Sequence, residues 1–160
     1  VKEFEITDDD KTFLEKQTRI ALRHCGVINP EIIEDYINDD GYKALNKVLT
    51  TMSPEDVIEE IKASGLAGRG GAGFPVGLKW SFIDKKSGNP RHLVCNADES
   101  EPGTFKDRYL MEYIPHLLIE GMITSSFALG ANLSYIYIRG EYMWVYKTLE
   151  RAIKEAYAAG

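Results

Sequence analysis

Apolar residues recur at helical spacing through the first third of the chain, in short amphipathic units. The stretch Thr12–Glu15 fits a capping box, which predicts the start of a helix there. The apolar stripe of that helix would consist of Phe13, Leu14, Ile20, Ala21 and Cys25. Asn29 and Ser53 each stand before a proline, so two more helices are predicted to begin at Pro30 and Pro54.

A further short helix is predicted between these two. Residues 41–49, GYKALNKVL, carry apolar side chains at Ala44, Leu45, Val48 and Leu49. Gly65 stands where the helix that starts at Pro54 should stop. Residues 1–64 are therefore predicted to form a helical N-terminal extension.

The periodicity changes after the glycine-rich stretch that follows. Residues 92–96, HLVCN, read as a buried strand, and residues 134–138, SYIYI, are β-branched and aromatic like a second strand. A mostly apolar helix is predicted over 115–130, and helical spacing returns over 141–159. Strand, helix, strand, helix is the order of a crossover in a parallel sheet, which predicts an α/β fold with a βαβα unit in 65–160.

Composition excludes some classes of function. The chain has 160 residues, enough for one domain, with 44% hydrophobic and 28% charged residues. A net charge of −6 argues against a general nucleic-acid binder but allows a local cationic pocket. Cys25 and Cys95 form no CxxC pattern, so they suggest a reducing compartment and supply no metal or disulfide framework.

No stretch reads as a membrane span or a signal peptide. The most apolar run, IPHLLIEGMITSSFALGA, is interrupted by His116 and Glu120 and is better explained as a buried helix. The chain begins with Val1 and stops at Gly160 just after a helical pattern, so we expect it to be part of something longer.

The stretch GLAGRGGAGFPVGLKW, residues 65–80, is the first candidate site. Its segment 68–73, GRGGAG, matches G-x-G-x-x-G, but a helix rather than a strand precedes it, which argues against an ordinary Rossmann dinucleotide site. Several glycine N–H groups can still line a concave surface for an anion, with Arg69 and Lys79 as charged donors beside it. The alternative is a surface loop with solvated cations.

The stretch NADESEPG, residues 96–103, follows the first strand and is the second candidate. Ligands of open α/β sheets bind outside the carboxyl ends of the strands. Asp98, Glu99 and Glu101 could form a solvated acidic turn or a metal site, although no histidine completes a coordination shell. They could also, with Asn96, accept hydrogen bonds from a ring rich in N–H groups, such as a flavin or a nicotinamide amide.

Aromatic residues accompany the glycine-rich stretch. Phe74, Trp80 and Phe82 suit stacking on a flat heterocycle, although core packing is the commoner fate of such residues. The three histidines show no partner spacing and are interpreted as structural; they are His24, His92 and His116. The spacing supports no Ser–His–Asp or Cys–His constellation.

Taken in order, these motifs resemble a known family. GLAGRGGAGFPVGLKW, CNADESEPGTFKDR, PHLLIEGM and YIYIRGEY, from about Tyr42 to Gly160, are similar to the NADH-oxidising flavoprotein subunit of respiratory complex I. The relatives include diaphorase subunits of NAD-linked and electron-bifurcating hydrogenases and of NAD-dependent formate dehydrogenases. Ala67 and Val76 depart from the usual pattern but leave the glycines and cations in place.

The resemblance implies cofactors and site residues. FMN would be contacted by Gly68, Gly70, Lys79, Asn96, Asp98 and Glu99. NADH would be faced by Gly71, Phe74, Phe82 and Glu101, with Arg69 near a phosphate. Hydride would pass from NADH to FMN and electrons would leave singly to iron–sulfur clusters. The cluster-binding cysteine motif would lie beyond Gly160 or in partner subunits, so no metal ligand is assigned here.

The family also implies a setting. The chain would be an FMN-dependent NADH dehydrogenase subunit of a cytoplasmic multisubunit redox complex that includes an iron–sulfur subunit, without nucleic acid and without membrane insertion of its own. One alternative is a catalytically silent piece that only docks a neighbouring subunit. A third hypothesis is an anion-binding module without flavin chemistry.

Overall fold

The computed structural model of the chain describes residues 7–160, which form a mixed arrangement of helices around a short parallel sheet. The elements in chain order are α1 (Asp8–Glu15), α2 (Ile33–Asn38), α3 (Lys43–Thr51), α4 (Pro54–Ala63), α5 (Val76–Ser81), β1 (His92–Ala97), α6 (Lys106–Tyr113), α7 (Pro115–Leu129), β2 (Leu133–Ile138) and α8 (Met143–Ala159). The predicted α/β class is confirmed.

Strands β1 and β2 are parallel neighbours, in register from His92 opposite Leu133 to Ala97 opposite Ile138. The parallel pairing predicted from the strand order is therefore confirmed. The expectation that residues 92–96 form a buried strand is wrong, because Val94 is 59% exposed. Its pair partner Tyr135 is 52% exposed, so within residues 7–160 only one face of the sheet is covered by helices.

Two apolar clusters hold the elements together. The first joins the covered face of the sheet to α6 and α8, and consists of Ala97, Met111, Tyr142, Val145 and Leu149. The second joins α3, α4 and α7, and consists of Val48, Val57, Ile58 and Ala128. Helix α7 contacts both clusters, which explains why its sequence is apolar on most sides.

Buried polar groups fasten α7 to the N-terminal helices. Glu120 accepts hydrogen bonds from the Tyr36 hydroxyl and from the backbone N–H groups of Tyr42 and Leu45, at 2.5, 3.0 and 3.0 Å. His116 contacts the Tyr42 hydroxyl at 2.8 Å through Nδ1. The two residues that interrupt the apolar run therefore lie buried in a helix, as the sequence predicted.

The first predicted helix is placed wrongly by the sequence pattern. Helix α1 starts at Asp8 and ends at Glu15, and the Thr12 hydroxyl donates to the Asp8 carbonyl instead of capping a helix. The apolar stripe does not form, since Phe13 and Ile20 are 67% and 81% exposed.

The two helix starts predicted from prolines differ in outcome. The Ser53 hydroxyl accepts from the Asp56 N–H and the Asp56 carboxylate accepts from the Ser53 N–H, so α4 begins with a capping box and the prediction is confirmed. Asn29 caps only a turn, accepting from the Glu31 N–H, and α2 starts later at Ile33.

Helices α5 and α6 are absent from the sequence prediction. Helix α5 has six residues inside a glycine-rich stretch and lacks a side-chain cap, which leaves little signal. Gly65 ends α4 as predicted, with a positive φ of 67° just beyond the helix. No helix in residues 7–160 combines the length and the apolar character needed to cross a bilayer.

Candidate functional site

The glycine-rich loop is closed at its base by backbone pairing. Ala67 and Pro75 form an antiparallel bridge, and the Gly68 N–H donates to the Phe74 carbonyl at 2.8 Å. The Val76 N–H donates to the Leu66 carbonyl at 2.9 Å. Residues 69–73 are thereby held as a protruding loop between two fixed ends.

The N–H groups of residues 69–73 donate no hydrogen bond to any other residue in 7–160, and all five residues are exposed. Gly71 and Gly73 have φ of +111° and +64°, a region that side chains other than glycine rarely adopt. A Cβ added at Gly70, Gly71 or Gly73 would meet no atom within 4 Å. Free N–H groups in an open glycine loop can donate hydrogen bonds to an anion.

Helix α5 anchors the loop because Gly77 packs closely on α4. A Cβ at Gly77 would lie 2.6 Å from the backbone nitrogen of Lys62. Trp80, one turn further, is partly buried and packs against the cluster that contains Val57. Trp80 therefore serves core packing, and the stacking alternative does not apply to it.

Two cations flank the loop without ion-pair partners. Arg69 and Lys79 are exposed, and neither forms a salt bridge with another residue in the described range 7–160. Neighbouring Lys62 and Lys85, by contrast, pair with Glu59 and Glu55 at 2.7 and 2.8 Å. The charge beside the loop is therefore available to an anion.

Phe74 and Phe82 are brought together at the end of the loop. Their ring centroids are 6.4 Å apart with an interplanar angle of 58°, and the residues are 46% and 66% exposed. Exposed aromatic faces beside an anion-binding loop suit a ligand with both a phosphate and a flat ring.

The acidic loop leaves the carboxyl end of β1. The Asn96 side-chain oxygen accepts from the Asp98 N–H at 3.2 Å, and the Ser100 hydroxyl donates to the Asp98 carboxylate at 2.5 Å. Asn96, Asp98 and Glu101 are exposed. Polar acceptors are thus presented to solvent at the edge where α/β sheets bind ligands.

Glu99 behaves differently from its neighbours because it is only 5% exposed. Its two carboxylate oxygens accept from the N–H groups of Asp107 and Arg108, at 2.9 and 3.0 Å. A carboxylate at the N-terminus of α6 stabilises that helix through the unpaired N–H groups and the helix dipole. Its predicted contact with FMN remains a prediction.

Sequence reasoning missed Arg139. This residue follows β2, and its Nη1 donates to the carbonyl of Glu99 at 2.9 Å. The motif YIYIRGEY contains it, but its link to a residue forty positions earlier follows only from the strand pairing.

The two candidate loops are not joined directly. Within residues 7–160, no hydrogen bond, ion pair or ring contact links 65–82 to 96–105. No group of three or more His, Cys, Asp or Glu side chains in the same range is arranged to hold a metal ion.

The residues present fit the FMN that the resemblance implies. Free N–H groups and unpaired cations suit its phosphate, exposed phenylalanines suit a flat ring, and Asn96 and Asp98 suit the polar edge of a ring. The N–H groups, the cations and the phenylalanines lie in residues 69–82, whereas the polar acceptors lie at the end of β1.

Comparison with known proteins decides the family. The model of the Nuo51 FMN-binding domain matches residues 61–160. The chain belongs to the Nuo51 FMN-binding domain family. It is 59% identical over 150 residues to the F subunit of NADH-quinone oxidoreductase from Aquifex aeolicus (strain VF5), covering 94% of this chain and 35% of that protein.

Two further curated relatives are also similar to the chain over most of its length. The chain is 53% identical over 132 residues to the F subunit of NADH-quinone oxidoreductase from Escherichia coli (strain K12), covering 82% of this chain and 30% of that protein. It is 48% identical over 141 residues to the NADP-reducing hydrogenase subunit HndC of Solidesulfovibrio fructosivorans, covering 88% and 28%.

A solved structure supports the same assignment. The NAD+-reducing [NiFe]-hydrogenase in its air-oxidized state matches with a TM-score of 0.69 at 34% identity, covering 89% of this chain and 23% of that chain. The resemblance of the motifs to this family is thereby confirmed. The chain spans about a third of the length of the curated relatives it matches.

Proposed function

We propose that this chain is part of an FMN-dependent NADH dehydrogenase subunit. The observation that carries the proposal is the run of N–H groups at 69–73, which lies between two fixed ends and beside Arg69 and Lys79, with no hydrogen-bond or ion-pair partner for these groups among residues 7–160. Family membership and relatives named as NADH-quinone oxidoreductase subunits support it.

The residues divide the work of holding two ligands. Gly70 and the Lys79 ammonium would hold FMN by its phosphate, and Asn96 and Asp98 would accept from the polar edge of its ring. Gly68 and Glu99 would line the FMN site, because the Gly68 N–H already donates to Phe74 and the Glu99 carboxylate already accepts from α6. Gly71, Phe74, Phe82 and Glu101 would bind NADH, with Arg69 near a phosphate. FMN, when bound, would supply the chemistry of hydride acceptance and single-electron release.

The protein groups act by binding and orientation. Phe74 and Phe82 would hold a flat ligand by stacking, and bringing the reacting groups close together would be the main contribution of the protein to the rate. No side chain of the site has to gain or lose a proton in this scheme. The loss of one side chain should therefore show as weaker FMN retention or weaker NADH affinity.

The wider setting follows the named relatives. We infer partner subunits, because relatives are named as subunits of a quinone oxidoreductase and of a hydrogenase. An iron–sulfur partner and a cytoplasmic location are proposed from the resemblance of the motifs alone. The division into a helical extension, 1–64, and a front part of the FMN and NADH domain, 65–160, belongs to the same proposal.

The experiment compares FMN with riboflavin, which lacks the phosphate. The intact protein, stripped of flavin, is titrated with each compound while flavin fluorescence is followed. Binding of FMN at least about a hundredfold tighter than riboflavin is expected from two charged hydrogen bonds to the phosphate. Equal affinity for FMN and riboflavin would show that the glycine loop does not bind the phosphate.

A further inference from the structure

Arg139 ties the end of one strand to the acidic loop that leaves the other. Ala97 and Ile138 are the last paired residues of β1 and β2, so Asp98 and Arg139 leave the sheet at the same edge. From there the Arg139 Nη1 donates to the Glu99 carbonyl at 2.9 Å. This hydrogen bond therefore joins the segment after β2 to the acidic loop after β1.

The guanidinium of Arg139 is itself fixed on two further sides. Its Nε and Nη2 donate to the two carboxylate oxygens of Glu141 at 3.2 and 3.3 Å. Its central carbon lies 5.2 Å from the ring centroid of Tyr142, which is buried in the core. A planar guanidinium held by a bidentate carboxylate and an aromatic ring is a rigid donor.

Glu99 is also held from its other end. Its side chain accepts the N–H groups of Asp107 and Arg108 at the start of α6, while its carbonyl accepts from Arg139. The middle of the acidic loop is therefore clamped between β2 and α6. Asp98 and Glu101, which flank it, are exposed and make no ion pair within residues 7–160.

We propose that Arg139 is a positioning residue of the cofactor site, which fixes the acidic loop so that Asn96, Asp98 and Glu101 face their ligands. Neither Arg139 nor its partner carbonyl has to touch FMN or NADH in this role. The identity of the ligands in this inference rests on the proposed function. The clamp, meaning the fixation of Glu99 between Arg139 and the start of α6, rests only on the contacts of Glu99.

Arg151 provides a matched control elsewhere on the surface. It also donates to a backbone carbonyl far along the chain, that of Pro30, and pairs with the carboxylate of Glu31, both in a segment away from the acidic loop. Its side chain is 35% exposed, close to the 27% of Arg139. Loss of either arginine should therefore disturb general stability to a similar degree.

The test titrates FMN onto the flavin-free intact protein with Arg139→Ala, Arg139→Lys and Arg151→Ala. Arg139→Ala should weaken FMN binding by about tenfold or more, the scale of one lost charged hydrogen bond, and Arg151→Ala should leave it within about twofold. Arg139→Lys keeps the positive charge and a donor but loses the bidentate pairing with Glu141, so its FMN affinity should lie between those of Arg139→Ala and the unmodified protein. If Arg139→Ala does not fold, Arg139→Gln takes its place with the same expectation.

Equal FMN affinity in Arg139→Ala and Arg151→Ala would overturn the proposal. Hydrogen exchange separates it from the proposed function, because amides in 98–105 should exchange faster in Arg139→Ala than in Arg151→Ala whether or not FMN is present. An unmodified protein that binds no FMN would contradict the proposed function, whereas equal exchange in both variants would contradict the clamp.

Discussion

The Tyr36 hydroxyl donates to the buried carboxylate of Glu120 at 2.5 Å, across 84 positions of sequence. Tyr36 is 2% exposed and Glu120 7% exposed, so the bond lies in the interior between α2 and α7. Glu120 also accepts two backbone N–H groups at the start of α3. One carboxylate therefore joins the N-terminal helices to the helix that borders both apolar clusters.

Glu120→Ala should strongly destabilise the protein. The substitution leaves the buried Tyr36 hydroxyl and two half-buried backbone N–H groups without their acceptor, and a loss of about 3 kcal/mol in the free energy of unfolding is expected. Urea unfolding at neutral pH measures it. Glu150→Ala is the control because the Tyr146–Glu150 bond is exposed, and it should change the free energy by less than about 0.5 kcal/mol. A similar small change for both variants would contradict this account.

Alkaline pH should weaken the fold through the same pair. Burial, and then the hydrogen bond to Glu120, raise the pKa of Tyr36 above that of an ordinary tyrosine. The folded protein therefore retains the proton more tightly, so its stabilising contribution is intact below about pH 10 and is lost as the pH rises above that value.

The contribution of Tyr36 to the slope of this loss is up to about 1.4 kcal/mol of unfolding free energy per pH unit. Tyr36→Phe should lower the slope by that amount, while Tyr157→Phe, at a residue 84% exposed, should leave it unchanged. Chemical denaturation between pH 9 and 11 decides the matter, and an unchanged slope in Tyr36→Phe would refute the role of this tyrosine.

Gly77 in α5 and Gly70 in the glycine loop should respond differently to alanine. Gly77→Ala forces a methyl group against the backbone of Lys62, and a destabilisation of about 2 kcal/mol is expected from overpacking. Gly70→Ala meets no atom within 4 Å and should leave stability nearly unchanged while weakening FMN binding. Thermal unfolding and flavin titration measure the two effects, and equal stability losses would mean that α5 does not anchor the loop.

Lys79→Ala should weaken the binding of FMN or NADH by about 1.5–3 kcal/mol, the scale of a lost hydrogen bond to a charged group. Stability should not change, because Lys79 is exposed and makes no ion pair in the described part of the chain. Lys47→Ala, at another exposed lysine, is the control. Unchanged flavin content together with an unchanged KM for NADH would exclude Lys79 from the site.

Phe82→Ala should raise the KM for NADH by about tenfold, as expected when one stacking contact with a flat ring is lost. Phe82 is 66% exposed, so the melting temperature should stay close to that of the unmodified protein. Phe13→Ala, at a phenylalanine 67% exposed in α1, should change neither quantity. Identical KM values in the two variants would mean that Phe82 does not stack on the nucleotide.

Local signals in the sequence identified much of the fold. Strand pairing, the long helix α7 and the capped start of α4 all depend on spacing within a few residues, and each prediction is confirmed. The helix predicted from Thr12 is wrong, because the apolar spacing that suggested it has no surface to pack against. Helix α6 is missed since its cap comes from Glu99, outside the helix.

The candidate site, like the fold, could be predicted only in part from the sequence. The glycine loop and the exposed phenylalanines are visible as motifs, and the structure adds that the loop N–H groups are free and that Trp80 packs against a core cluster. Glu99 and Arg139 could not be separated from their neighbours by sequence, because their contacts depend on how β1, β2 and α6 meet. Contacts between distant segments require the tertiary fold.

The most direct measurement is the visible absorption spectrum of the purified intact protein, recorded before and after anaerobic addition of NADH. The proposed function predicts a flavin spectrum that bleaches when NADH is added. A protein that stays colourless after incubation with FMN, or a flavin band that NADH leaves unchanged, would contradict it.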